Sequence, residues 1–167
     1  MNTKYIDLIN QTYDFPQEEF KVENSNLQFH DIDLMKLISD YGAPLKFTYL
    51  PKISDNIQRA KQWFSEAIKK HDYKGDYKYC YCTKSSHFKH VLHEATKNDI
   101  HIETSSAFDI DIVENLKAEG KIDDSTFIVC NGFKREQYIT NIARLINGGQ
   151  KNCIPVIDNY EELGLLS

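Results

Sequence analysis

The chain has 167 residues, with 20 Lys and Arg against 25 Asp and Glu, a net charge of −5, and 41% hydrophobic side chains. This describes a folded domain with material for a core, not a disordered or fibrous chain, and its mild acidity, pI about 5.7, lacks the basic field of a nucleic-acid binder. No apolar run approaches a membrane span, Asp7 and Asn10 interrupt the stretch where a signal peptide needs its apolar region, and four cysteines fit reduced cytoplasmic thiols better than a disulfide framework.

A polar lead-in runs through Glu23, and short apolar runs then alternate with longer amphipathic stretches, the pattern of βαβ units. Residues 33–40 read as a helix ended by Tyr41-Gly42-Ala43-Pro44. Leu45 to Leu50 reads as a first strand. Ile53, Ile57, Ala60, Phe64 and Ile68 keep one helical face apolar over Lys52 to Lys70. Tyr77 to Cys82 forms the second strand, followed by a helix carrying Phe88, Val91, Leu92 and Ala95. The third strand is Ile100 to Glu103, and its helix spans about Ala107 to Glu119, with Ser106 expected as the N-cap and Gly120 as the stop. Thr126 to Cys130 and the helix of Ile139, Ile142, Ala143 and Ile146 form the fourth unit. Cys153 to Ile157 makes a fifth strand, in which Pro155 requires a weakly paired position.

Near-continuously apolar strands suit a parallel sheet covered by helices, as in an open doubly wound sheet or a (β/α)₈ barrel. No Gly-x-Gly-x-x-Gly follows any strand, which disfavours a dinucleotide site. A whole barrel needs eight units and roughly 250 residues, against four to five here.

In such folds ligands gather at the carboxyl ends of strands. Those positions carry Thr83-Lys84-Ser85-Ser86, Glu103-Thr104-Ser105-Ser106, Asn131-Gly132-Phe133-Lys134 and Asp158-Asn159, whereas the opposite ends carry plain surface linkers. Lys84, between small hydroxyl residues, suits a Schiff-base nucleophile if a cleft buries it, although an exposed loop lysine is the commoner case and position alone does not decide between them. Glu103 can orient such a lysine or cap the next helix. Lys134-Arg135-Glu136 reads as a solvated helix start. Cys80, Cys82, His87, His90 and His93 offer ligand atoms for zinc, but their spacing matches no common zinc site, so no metal is expected. Tyr77, Tyr79 and Tyr81 share one side of their strand and read as core facing a helix.

Together these segments resemble the fold-type III, pyridoxal-phosphate-dependent decarboxylases of basic amino acids, the arginine decarboxylase-like members in particular. The resemblance rests on Tyr41-Gly42-Ala43-Pro44-Leu45, Tyr79-Cys80-Tyr81-Cys82-Thr83-Lys84, Ile102 to Asp109 and Cys130-Asn131-Gly132-Phe133-Lys134, four motifs in order, and extends to Pro155-Val156-Ile157-Asp158. It implies a lead-in over residues 1–40 and, over 41–167, the N-terminal portion of a (β/α)₈ barrel, the rest of the barrel and a C-terminal β domain lying outside. It also implies Lys84 as the Schiff-base lysine, Glu103 beside it as a catalytic residue, and Ser105 and Asn131 as cofactor neighbours.

The implied reaction is decarboxylation, most simply of arginine to agmatine in polyamine biosynthesis, by a cytoplasmic homodimer or higher homo-oligomer acting on a small amino acid. Ser85-Ser86 depart from the family's small residue and Asn after the lysine, which bears on substrate identity. Related decarboxylases of ornithine, diaminopimelate or carboxynorspermidine, an alanine-racemase-like enzyme and a non-catalytic cofactor-binding module are the alternatives. The family's phosphate loop, its acidic partner for the pyridine nitrogen and its second-subunit residues have no counterparts here. These 167 residues alone are therefore expected to be inactive and poorly soluble.

Overall fold

The computed structural model describes residues 19–166 and divides the chain into two compact units between Thr48 and Tyr49, where composition suggested one domain. The first unit contains an antiparallel meander: β1 (Phe20–Glu23), β2 (Asn26–Phe29) and β3 (Ile32–Asp33), followed by α1 (Leu34–Tyr41). Both hairpin turns put two residues in the left-handed region, Asn24 and Ser25, then His30 and Asp31, the backbone twist that two-residue hairpins favour. Asp33 caps α1 by accepting from the Lys36 N–H at 3.0 Å, as the helix read over 33–40 requires. Phe20 and Phe29 pack at 4.9 Å between ring centroids, and Phe47 meets Phe29 edge-on at 5.7 Å. Phe47 belongs to Leu45 to Leu50, which joins no ladder and turns into α2 at Leu50. The expected first strand is thus not formed, because an apolar run becomes a strand only where a partner offers its backbone.

The second unit holds a parallel sheet of β4 (Cys80–Cys82), β5 (His101–Thr104), β6 (Ile128–Cys130) and β7 (Cys153–Pro155), in that order. The helices are α2 (Pro51–Lys70), α3 (Lys89–Ala95), α4 (Ala107–Ala118), α5 (Glu136–Asn147) and α6 (Tyr160–Leu166), so every strand of this sheet is followed by a helix. Sequence periodicity located each of these elements except α6; β4, β6 and β7 are shorter than their apolar runs, as β4 pairs only where β5 lies beside it, from Cys80 opposite His101. Pro155 closes the last pair of β7, opposite Cys130, a strand with a ladder on only one side.

Period-two alternation divides the sheet into two faces. Ile102, Thr104, Ile128 and Cys130 are fully buried beneath the helices, with Ile57, Leu92, Ala95, Ile110, Val113 and Ile142, each large aliphatic chain contributing roughly 1.5–3 kcal/mol. Tyr79 and Tyr81 pack against this core, while Tyr77 stacks on Phe64 of α2 at 4.0 Å. The register aligns Cys82, Glu103, Val129 and Ile154 across the other face. That face is only partly covered, and Ile154 is 44% exposed, as an unclosed barrel interior would be.

Candidate active site

Thr83 leaves β4 buried, its N–H and its hydroxyl both donating to the Glu103 carbonyl, at 3.0 and 3.1 Å. Ser85 turns the chain back, its N–H and hydroxyl donating to the Cys82 carbonyl at 3.2 and 2.7 Å. The Tyr81 hydroxyl reaches up to the Ser86 carbonyl at 3.0 Å. Lys84, between Thr83 and Ser85, thus has a backbone held from three directions. Its side chain is exposed and forms no hydrogen bond or ion pair with any described residue. The cleft that would have buried this lysine is not found around it in this chain.

Glu103, the penultimate residue of β5, is half-buried and accepts from the Asn131 carboxamide Nδ2 at 3.0 Å. It neither bonds Lys84 nor caps α4. Asn131 is fixed in turn, its N–H donating to the Thr104 carbonyl at 2.9 Å and its Oδ1 accepting from the Gly132 N–H at 2.8 Å. The strand ends therefore present an exposed amine, a half-buried carboxylate and a carboxamide whose NH₂ is aimed at that carboxylate.

Ser105 commits both of its donors to one carboxylate: its N–H and hydroxyl reach Asp109 Oδ2 at 2.8 and 3.2 Å. Asp109, the third residue of α4, thereby satisfies the backbone donor just before the helix, while Ser106 occupies the expected N-cap position without a side-chain cap bond. Gly132 presses on the same corner. Its φ is +76°, and a Cβ there would lie 2.5 Å from the Ser105 carbonyl oxygen, so only glycine fits.

Lys134 corrects the expectation of a solvated helix start. Its side chain is fully buried, Nζ donating to the Gly132 carbonyl at 2.8 Å and lying 3.5 Å from Glu162 Oε2. Glu162 accepts from the N–H groups of Lys134 and Asp158 at 3.0 and 2.9 Å. These bonds, that of Asp158 first, hold its carboxyl below the usual glutamate range.

Behind the strand ends, the Thr104 and Tyr138 hydroxyls share a proton at 2.7 Å. Cys130 and Cys153 lie 3.6 Å apart, sulfur to sulfur. Their shared proton pulls Cys130 down to about 7 and pushes Cys153 up. Both cysteines pack on the core side of the sheet.

The residues weighed for zinc have other partners. His93 bonds Glu119 at 2.6 Å, His90 and His87 stack on Phe88, and burial, then the charge of Glu103, pushes the Cys80 thiol up. Among the described residues no three His, Cys, Asp or Glu side chains gather as a metal site needs.

Parallel βα units with the polar residues at the strand ends are the architecture of an α/β barrel, here in part. In structure, the chain is similar to the biosynthetic arginine decarboxylase of Campylobacter jejuni, with a TM-score of 0.70 at 23% identity, over 89% of this chain and 27% of that one. In sequence, it is 29% identical over 147 residues to the biosynthetic arginine decarboxylase of Gloeobacter violaceus, a stretch that takes in 81% of this chain and 22% of that protein. It is also 27% identical to arginine decarboxylase 2 of Arabidopsis thaliana, over 86% of this chain and 22% of that protein. No family model matches. The chain spans about a fifth of the length of the curated relatives it matches, and these likenesses support the arginine decarboxylase resemblance drawn from its motifs.

Proposed function

We propose that this chain carries the lysine-bearing part of a pyridoxal-phosphate-dependent decarboxylase that converts arginine to agmatine in polyamine biosynthesis, as a cytoplasmic homo-oligomer. The observation that carries the reading is the Lys84 corner, a rigid backbone bearing a free primary amine at a strand's carboxyl end, in a chain similar to arginine decarboxylases. Among the described residues no helix is long and apolar enough to cross a membrane.

The donor set fits one end of the cofactor. A free amine can condense with an aldehyde, and a neighbouring carboxylate and carboxamide can order the polar groups around it. Among the described residues the phosphate end finds no glycine-rich cradle: Gly132 is spent against Ser105, and Gly148 and Gly149 follow α5 at the opposite end of the sheet. When bound, pyridoxal phosphate supplies the electron sink that lets a carboxylate leave as carbon dioxide.

The chain's own residues then have distinct tasks. Lys84 is the covalent anchor, and its tethered backbone limits where the amine can reach. Glu103, oriented by the Asn131 carboxamide, presents its second carboxylate oxygen at the neighbouring strand end. Ser105, with both donors on Asp109, serves as the floor against which Gly132 packs and not as a donor to the cofactor.

Incubation with pyridoxal phosphate, borohydride reduction and peptide mapping test the reading. The stable adduct is expected on Lys84, absent from Lys84→Ala; an adduct on Lys46, Lys78 or Lys134 instead would overturn it. Glu103→Gln keeps an acceptor for Asn131 and should leave the adduct intact, and in the complete decarboxylase it should slow turnover.

A further inference from the structure

Two lysines follow the apolar strands at the site, and the proposed chemistry uses only Lys84. Lys134 has a fully buried side chain, a placement that costs several kcal/mol of desolvation per ion unless geometry repays it. An apolar side chain of the same size would commonly serve stability as well or better. What an apolar side chain cannot do is donate to the Gly132 carbonyl, as Nζ does at 2.8 Å.

That bond matters because of what lies on either side of it. The Gly132 N–H is held by the Asn131 side chain and its carbonyl by Lys134, so the glycine, with φ at +76°, is fixed at both peptide groups. Glu162 anchors the lysine from the far side and is itself tied to Asp158 and to the Lys134 backbone, while its own N–H donates to Asn159 Oδ1 at 3.0 Å. The β6–α5 corner is thereby pinned to the β7–α6 corner. Without Nζ, the Gly132 carbonyl loses its partner, the glycine can rotate, and the Asn131 carboxamide that donates to Glu103 at 3.0 Å moves with it.

We infer that Lys134, held by Glu162, is a positioning residue that fixes the Gly132 peptide and so keeps the Asn131 carboxamide on the Glu103 carboxylate. The inference rests on the proposed function for what Glu103 does, but the positioning is measurable by itself.

The test is NMR of the whole chain with ¹⁵N-labelled asparagine, following hydrogen exchange of the Asn131 side-chain amide. Lys134→Met is expected to accelerate that exchange about tenfold, the size expected when a hydrogen bond near 1.4 kcal/mol is lost. Lys134→Met leaves Glu162 without its counter-ion, so Lys134→Met combined with Glu162→Met removes both charges at similar volume, and the same acceleration is expected. Exchange within twofold of the parent in either folded variant would overturn the inference and reduce the pair to a packing device. Borohydride trapping on Lys84 in the parent is scored separately: its failure would sink the proposed function and leave the exchange result standing.

Discussion

The β4–α3 and β6–α5 corners begin alike, each an apolar strand ending in cysteine and followed within a few residues by lysine, yet they treat that lysine in opposite ways. At β4 the backbone is tethered by Thr83, Ser85 and Tyr81 while the Lys84 amine is free. At β6 the lysine is buried and doubly engaged, by the Gly132 carbonyl and by Glu162. The difference lies in what stands opposite: α6 supplies a carboxylate to Lys134, and nothing among the described residues supplies one to Lys84. A lysine at a strand's carboxyl end is therefore reactive or structural according to its distant partners, and local sequence does not distinguish the two.

The sharpest way to break this comparison is to remove each lysine. Lys134→Met should lower Tm by roughly 5 °C or more, because it leaves a buried carboxylate without its counter-ion; Lys84→Ala, at an exposed position, should change stability by no more than about 0.5 kcal/mol. Differential scanning calorimetry of both decides it, and equal effects would erase the distinction. Gly132→Ala comes next. It must hold a left-handed backbone and push a methyl group against the Ser105 carbonyl, at a cost of roughly 1–3 kcal/mol, read in a urea titration against the parent.

Local pattern revealed much of this molecule and missed its long-range pairings. The helix over Pro51–Lys70 was legible because Ile53, Ile57 and Phe64 fall on one face, and Lys84, Glu103 and Asn131 because strand ends can be counted. The meander over Phe20–Asp33 was not, since its turns use Asn24-Ser25 and His30-Asp31 without the glycine that signals a hairpin. Leu45 to Leu50 has a strand's composition, but pairing depends on a neighbour that composition does not encode. Lys134 read as solvated within Lys-Arg-Glu because its carboxylate lies 28 residues further on. Ser106 takes the N-cap position its residue type suggests but makes no side-chain cap bond, and the reach of Asp109 back to the Ser105 N–H is not written in the order of cap-forming residue types.

The buried pair should also leave a mark on pH dependence. Glu162 has a folded-state pKa below the ordinary value of 4.5, set first by the Asp158 N–H and then by that of Lys134. The unfolded chain therefore binds the proton more readily, so this stabilisation is fully present above about 4.5 and is lost as pH falls through the lower folded value. Plotting Tm against pH for parent and Glu162→Gln should give curves that converge as pH drops below 4.5 and run parallel above it. A constant separation down to pH 3 would mean that Glu162 does not carry the linkage.

A further, modest effect belongs to the other corner and concerns its anchor rather than its lysine. Thr83 is buried, and its hydroxyl donates to the Glu103 carbonyl at 3.1 Å while its N–H donates to the same oxygen. Thr83→Val keeps the shape and the backbone bond and removes only the hydroxyl, so the stability loss should be about 1 kcal/mol. Because the Lys84 amine takes no part in that bond, borohydride trapping on Lys84 should persist, but the loosened turn lets the amine sample more positions and trapping should be slower. If Thr83→Val trapped the cofactor at the parent's rate despite its lower stability, the rigid backbone would be irrelevant to the lysine, and the contrast between the corners would reduce to exposure alone.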